Sequence, residues 1–304
     1  MIFFKLLRWP NLFMIALTQF LVRYCLIIPA FVVEYNVSGT FPTHLNKFEF
    51  LLLVASTLLI AAGGYIINDI NDTSIDKDNK PGKNKINNGV SETLATKIYY
   101  GFTFIGVLSG FIVAIAIGKF SMGFIPLFAA VSLYMYSTFY KKRFLSGNIL
   151  IAILSALSVL LVGLFEPEFY KSIIYLLWYA IFAFELSLIR EIIKDIEDKD
   201  GDEKAQSKSL PIRFGVKKTK LVIYALILFS IASISHVLYY NFSDNTVISF
   251  WLLCAIFILP LLILAYWIFV SEEKRDFHFA SIFAKAYMFL GICSMFGFWY
   301  YFLR

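Results

Sequence analysis

The chain has 304 residues, of which 60% are hydrophobic and 18% aromatic, and its 16% of charged residues leave a formal net charge of +6. Soluble domains carry roughly 25% charged residues, so this composition, with a mean hydropathy of +0.74, excludes a soluble globular protein. An all-α integral membrane protein is expected, with membrane lipids and no nucleic acid among its partners.

Apolar runs long enough to cross a bilayer, about 20 residues each, fall near 11–33, 49–67, 98–118, 121–140, 148–166, 171–193, 220–240, 247–271 and 280–303. These predict nine transmembrane helices. The opening "MIFFKLLRWPN" sets basic residues before the first run without a small-residue cleavage site, and reads as an interfacial segment leading into an uncleaved first helix. Arg23 in the first run and Glu185 in the sixth are charges at membrane depth, where a role is the default. They are candidates to pair with each other across the bundle or to touch substrate, against snorkelling or interhelical hydrogen bonding. Cys25, Cys254 and Cys293 are read as small buried hydrophobes rather than a disulfide or metal framework. His44, His236 and His278 show no ligand spacing.

With nine spans, alternate connections share a side, and Lys/Arg counts select the cytosolic one. The N-terminal segment and the connections after spans two, four, six and eight, with Lys285 counted in the last, hold 22 of the 27 basic residues. The N-terminus and these connections are therefore expected in the cytosol. Two of them are long and polar, near 68–97 and 190–219, and both carry acid clusters.

In the first, "GGYIINDINDTSIDKDNKPGKNK" at 63–85 holds Asn68, Asp69, Asp72 and Asp76 as NDxxDxxxD. Offsets of three and four put these acids on one face of a helix continuing past the membrane edge. In the second, "REIIKDIEDKDGDEKAQSKSLPIRFG" sets Asp195, Asp198 and Asp202 at the same spacing, with Gly201 expected to allow a sharp turn. Asp69 and Asp195 are 126 residues apart, each just past an apolar span, which suggests two halves of related construction. Carboxylates this close repel unless a cation lies between them, and few oxygen ligands with room for water and phosphate describe a shared Mg²⁺ site. Facing clusters would clamp a diphosphate from both sides as its carbon–oxygen bond breaks. Lys80, Lys83, Lys141, Lys142, Arg190 and Lys194 are candidates for direct phosphate contacts. A long apolar tail would lie among the helices, where aromatic faces stabilise an allylic carbocation. One acidic helix end alone is usually a solvated loop; two with matched spacing on one side point to metal–diphosphate chemistry.

These motifs resemble the UbiA superfamily of intramembrane prenyltransferases. NDxxDxxxD is matched in full, and the second motif, commonly YxxxKDxxDxxGD, is matched by Lys194, Asp195, Asp198, Gly201 and Asp202 with Arg190 at the Tyr position. "NKPGKN" corresponds to the family's NRPxRP with Lys80 and Lys83 for Arg, and "RWPN" at 8–11 and "YSTFYKKRFLSGN" at 136–148 agree more weakly. The resemblance implies one transmembrane prenyltransferase domain over 1–304, a UbiA-like nine-helix bundle around a central cavity. It also implies Mg²⁺ dependence and prenyl transfer from a prenyl diphosphate to an acceptor. It implies metal ligation by Asp69, Asp72, Asp76, Asp195, Asp198 and Asp202, and a catalytic role at the metal–diphosphate site for Asn68, Asp72, Asp198 and Lys194. Lys80, Lys83, Lys141, Lys142 and Arg190 are the expected substrate contacts. "REIIKDIEDKDGD" looks most like the branch that moves a geranylgeranyl group to geranylgeranylglyceryl phosphate, and Arg190 suits an acceptor bearing phosphate.

The alternative acceptor is an aromatic one, as in quinone biosynthesis. A membrane cation transporter is the competing class, disfavoured because transport places ionisable groups at mid-membrane on broken helices whereas these acids lie at one edge. CDP-alcohol phosphotransfer needs a DxxDG start followed shortly by Ala-Arg, and "DINDT" lacks both, while "DINDTSIDKDNK" has neither the central Gly nor the terminal Glu of an EF-hand loop.

Overall fold

In lipid every backbone polar group must be satisfied within its own segment, so the apolar runs have one stable solution, the helix. The computed structural model describes residues 2–35, 45–73, 85, 86, 89–166, 173–242 and 247–302. Among them nine helices are long and apolar enough to span a bilayer: α1 (Trp9–Phe31), α2 (Lys47–Asn71), α3 (Glu92–Ala116), α4 (Phe120–Tyr140), α5 (Ser146–Phe165), α6 (Ile173–Glu197), α7 (Leu210–Tyr239), α8 (Leu253–Val270) and α9 (Lys274–Tyr300). The described residues contain no β-strand beyond an isolated bridge between Ile86 and Val90.

Several helices begin before their apolar runs because side-chain caps, invisible to a hydropathy window, set the start. At α2 the Asn46 side chain accepts from Glu49 N at 2.9 Å while the Glu49 carboxylate accepts from Asn46 N at 2.8 Å. At α3 Ser91 Oγ accepts from Leu94 N at 3.3 Å, six residues before the expected start. The seventh helix starts at Leu210 and is broken at Gly215, whose φ of 81° is left-handed, so only the part beyond it matches the expected span. Lys285 lies within α9 rather than in the preceding connection, because the polar start "KRDFHF" is already helical.

Six helices, α1, α2, α4, α5, α6 and α9, surround a central cavity, and α3, α7 and α8 pack outside them. Half of the apolar window of α2 is buried, 56%, against 17% for α8, which separates core from periphery. Phe104 on α3, Leu228 on α7 and Phe269 on α8 are exposed in a belt suited to lipid. The same solvent explains the cysteines: Cys25 is buried as expected, but Cys254 is half-buried and Cys293 exposed, since acyl chains are as apolar as a protein core.

Small residues bring α2, α3 and α4 together. Ser56 Oγ donates to Gly106 O at 2.6 Å across the α2–α3 contact, and Gly110 lies one turn on. A Cβ at Gly106 would fall 2.8 Å from Ile60 Cγ1, and one at Gly110 would fall 2.5 Å from Pro126 Cγ.

Arg23 and Glu185 do not pair. Arg23 sits in a π-helical turn, Val22–Ile27, at the end of the bundle remote from the acid motifs. There its Nη2 donates to Leu45 O at 2.5 Å, its Nη1 lies 3.5 Å from Glu166 Oε1, and its guanidinium lies 4.5 Å from the Phe50 ring centroid. Glu185 lies twelve residues into α6, about 18 Å along a helix at 1.5 Å per residue, and accepts from Ser233 Oγ on α7 at 3.1 Å. The interhelical hydrogen bond is thus the reading that holds for Glu185.

Gly110→Leu forces a side chain into Pro126. It is expected to destabilise the bundle by roughly 1–3 kcal/mol, read as a lower melting temperature of the purified protein in detergent.

Candidate active site

The cavity has a volume of about 850 Å³ and is charged at one end and apolar along its depth. Asp195 at the mouth and Tyr179 in the depth, both lining residues, are sixteen residues apart on α6, about 24 Å along the helix. Ile60, Leu133, Leu154, Phe182 and Met295 line the deep part.

At the mouth α2 ends inside its acid motif: the helix stops at Asn71 and Asp72 forms its C-cap. The last turn nonetheless presents Asn68, Asp69 and Asp72 to the cavity. Asp69 Oδ1 accepts from Arg8 Nη2 at 2.6 Å. Asp72 accepts from Asn68 Nδ2 at 2.7 Å and forms an ion pair with Lys141. Lys141 is delivered by a π-helical turn, Tyr136–Tyr140, that ends α4. That turn is tied to α2 by Asn71 Nδ2 donating to Ser137 Oγ at 2.8 Å and Ser137 Oγ donating to Ile67 O at 3.2 Å.

Across the cavity α6 runs to Glu197, so its last two turns carry the second motif. Asp195 accepts from Asn148 Nδ2 at 2.9 Å. Glu191 accepts from Arg190 Nη1 at 2.9 Å and lies 3.3 Å from Lys194 Nζ. Asp198 and Asp202, at the start of and within the short helix Lys199–Lys204, also line the cavity. Gly201 is helical and buried in that short helix and makes no turn; the left-handed residue beyond it is Gln206, at φ 56°.

The non-glycine residues described at positive φ, Arg8 at 51°, Leu145 at 49° and Gln206 at 56°, all flank this mouth. Each carries a strain of about 1–2 kcal/mol. Arg8 and Leu145 stand immediately before α1 and α5, turning the chain so that Arg8 meets Asp69 and Asn148 meets Asp195. Gly147 permits the approach of α5 to α4, since a Cβ there would fall 2.9 Å from Tyr140 O. Burial opposes the charge of Arg8, but Asp69, with smaller help from Tyr65 and Tyr136, holds its pKa above the usual guanidinium value.

The structure thus brings together Asn68, Asp69, Asp72, Lys141, Arg190, Lys194, Asp195, Asp198 and Asp202 around one cavity. Lys142 is not among them: its side chain is exposed away from the lining, and its carbonyl accepts from Lys208 N at 2.9 Å. The π-turn ending α4 aims Lys141 inward and the next residue outward. Asp76, Lys80 and Lys83 lie outside the described residues. Polar residues beyond the motifs that also line the cavity include Arg8, Asn11, Tyr65, Tyr136, Asn148, Glu191 and Lys285. The stretches "RWPN" and "YSTFYKKRFLSGN" contain four of them, whereas Tyr65, Glu191 and Lys285 carry no spacing signal.

The donor set fits a hard divalent cation. Asp69 and Asp72 face Asp195, Asp198 and Asp202 across a space open to water. Among the described residues no three His, Cys, Asp or Glu converge as a closed metal cage, and a Mg²⁺ held by one or two carboxylates with phosphate and water oxygens needs none.

A membrane-embedded helix bundle with a carboxylate-rich mouth and a deep apolar cavity is built for a molecule with an anionic head and an apolar tail. The chain belongs to the UbiA prenyltransferase family, whose model matches residues 26–302. A relative from Methanosphaera stadtmanae, named digeranylgeranylglyceryl phosphate synthase, is 30% identical over 255 residues, 83% of this chain and 88% of its own length. One of the same name from Sulfolobus acidocaldarius is 36% identical over 171 residues, 56% of this chain and 58% of that protein. Among solved structures, one described as digeranylgeranylglyceryl phosphate synthase superposes with a TM-score of 0.64 at 22% identity, covering 97% of this chain and 98% of its own. A UbiA homolog from Archaeoglobus fulgidus bound to DMAPP and Mg²⁺ superposes with a TM-score of 0.56 at 19% identity, covering 96% and 99%.

Glu191→Gln keeps the side-chain volume but leaves Arg190 and Lys194 adjacent without their anion. Because those two cations keep 24% and 31% exposure, the expected loss is roughly 1–3 kcal/mol, less than for a fully buried pair. Thermal melting of the purified variant reads it, and an unchanged midpoint would show that Glu191 does not hold the two cations.

Proposed function

We propose that this protein transfers a geranylgeranyl group from geranylgeranyl diphosphate to geranylgeranylglyceryl phosphate, with Mg²⁺ as cofactor. The observation that carries this reading is the convergence of both acid motifs on the mouth of a cavity deep enough for a long prenyl tail. The relatives named for that reaction make the acceptor the favoured one. Asp69, Asp72, Asp195, Asp198 and Asp202, with Asp76, would hold Mg²⁺, which when bound neutralises the diphosphate and stabilises it as a leaving group.

This chain's own residues do the rest. Asn68 and Lys141 hold Asp72, and Asn148 holds Asp195, so the carboxylates keep their positions as charge shifts. Lys141 and Lys194, which line the same mouth, are assigned to phosphate oxygens that would share them with Asp72 and Glu191, and Lys80 and Lys83 are assigned the same role by their motif. As the C1–oxygen bond of the allylic donor breaks, its electron pair leaves with the diphosphate. The rings of Tyr65 and Tyr136, which line the mouth, stabilise the allylic cation. The acceptor hydroxyl oxygen supplies the pair for the new ether bond, and its proton leaves with the diphosphate. The apolar depth takes the prenyl tail. The basic residues cluster in the connections flanking this mouth, which supports placing it and the N-terminus in the cytosol.

The test is a transfer assay on purified protein with labelled geranylgeranyl diphosphate and either the phosphoglycerol lipid or an aromatic acid as acceptor. Mg²⁺-dependent product with the phosphoglycerol lipid is expected. Product with the aromatic acid alone would assign the quinone-type acceptor, and absence of both product and diphosphate release would reopen the transporter reading. Asp72→Asn and Asp198→Asn are each expected to lower turnover by at least about a hundredfold, the scale of losing a main electrostatic element of a site, with folding unchanged. Near-normal turnover in either would remove that cluster from the metal role.

A further inference from the structure

A cation inside a transmembrane helix is costly unless an anion faces it. Lys285 lies eleven residues into α9, about 16 Å from its start, and lines the cavity. Its Nζ donates at 2.5 Å to Asn11 Oδ1, a neutral amide oxygen that positions the ammonium without cancelling its charge. The lining residues contributed by α9 include no carboxylate. Lys285 lies within electrostatic reach of both Arg8 and Arg190 and all three line the cavity, so the segment just before α1, α6 and α9 each bring one cation to this wall. Arg8 is held through Nη2 by Asp69 and Arg190 through Nη1 by Glu191. The Arg190 Nε is buried and makes no hydrogen bond among the described residues.

This wall differs from the acid mouth at Lys285. Lys141 and Lys194 sit directly on carboxylates, whereas the hydrogen-bond partner of Lys285 is the neutral amide of Asn11. That arrangement suits a phosphate bound by direct charge-assisted hydrogen bonds rather than through a metal. The two places are nevertheless joined, because Arg8 bridges to Asp69 of the first motif. In a glyceryl phosphate acceptor the free hydroxyl is on the carbon next to the one bearing phosphate, so its phosphate must seat beside the diphosphate site.

We propose that Lys285, oriented by Asn11 and flanked by Arg8 and Arg190, seats the phosphate of the acceptor lipid and thereby aims its hydroxyl at C1 of the donor. The proposal rests on the phosphoglycerol acceptor assigned above. The seat selects acceptors by their phosphomonoester, and Lys285 is its specificity-determining residue.

The test is equilibrium binding to the purified full-length protein in EDTA and without donor, followed by calorimetry, so that it reads the seat independently of turnover. Geranylgeranylglyceryl phosphate and its dephosphorylated counterpart are compared on wild type, Lys285→Gln and Lys285→Arg. Wild type is expected to prefer the phosphorylated lipid by about tenfold or more, the scale of one charge-assisted hydrogen bond. Lys285→Gln should lose most of that preference and Lys285→Arg retain it, with the affinity for geranylgeranyl diphosphate in Mg²⁺ unchanged within about twofold. Equal affinity of wild type for both lipids, an undiminished preference in Lys285→Gln, or an equal loss of donor affinity would each overturn the seat. The wild-type comparison needs no variant to fold. Transfer to the phosphoglycerol lipid without Lys285-dependent binding would defeat the seat alone, whereas Lys285-dependent binding without transfer would uphold the seat and defeat the transferase reading.

Discussion

Carboxylates gathered at the edge of an apolar bundle repel one another and are poorly solvated, so each needs a partner that holds it in place. The mouth of this cavity is organised by that requirement. Asp69 is held by Arg8, Asp72 by Asn68 and Lys141, and Asp195 by Asn148, while Glu191 holds Arg190 and Lys194. These contacts join α1, α2, α4, α5 and α6, so the charge pattern of the site is also the set of links that closes the bundle at this end. Two left-handed residues, Arg8 and Leu145, accept local strain so that the pairs can form.

The rest of the cavity follows from the opposite requirement. Below the mouth the lining turns apolar, and the helices approach closely where Gly106 and Gly110 leave room. The far end is tied by Arg23, whose contacts with Leu45 and Glu166 join α1, the start of α2 and the end of α5. The outcome is a compartment polar at one end, dry along its length and anchored at both ends by charge.

Such a division of labour suits membrane prenyl transfer. A prenyl chain is already dissolved in the bilayer, so the protein gains little from hydrophobic binding alone and must draw its selectivity from the head group. Under the proposed function the acid motifs would recognise a metal-bound diphosphate, and the wall built from Arg8, Arg190 and Lys285 would present cations to a second anion. The transferring bond would lie where the two zones meet, at Asp69, Tyr65 and Tyr136.

The spans, the facing acid motifs and their gathering on one side were legible in the sequence, because bilayer thickness and positive-charge bias act on composition and spacing, which are local quantities. The pairing of Asp72 with Lys141 and of Asp195 with Asn148 was not, since it joins residues 69 and 47 positions apart. Nor was the separation of Lys141, inside the cavity, from Lys142, outside it, which a π-helical turn decides. Lys285 groups with the loop charges in the sequence because the polar "KRDFHF" lies shortly before it; its place in the cavity emerges only where α9 packs on α1 and Asn11 meets it. Composition and spacing by themselves determined that the chain crosses the membrane repeatedly and carries two acid clusters of matched spacing at its edge. Tertiary structure alone decided which opposite charges restrain those clusters and which cations remain to face a substrate, because pairing depends on distance in space and the sequence encodes only distance along the chain.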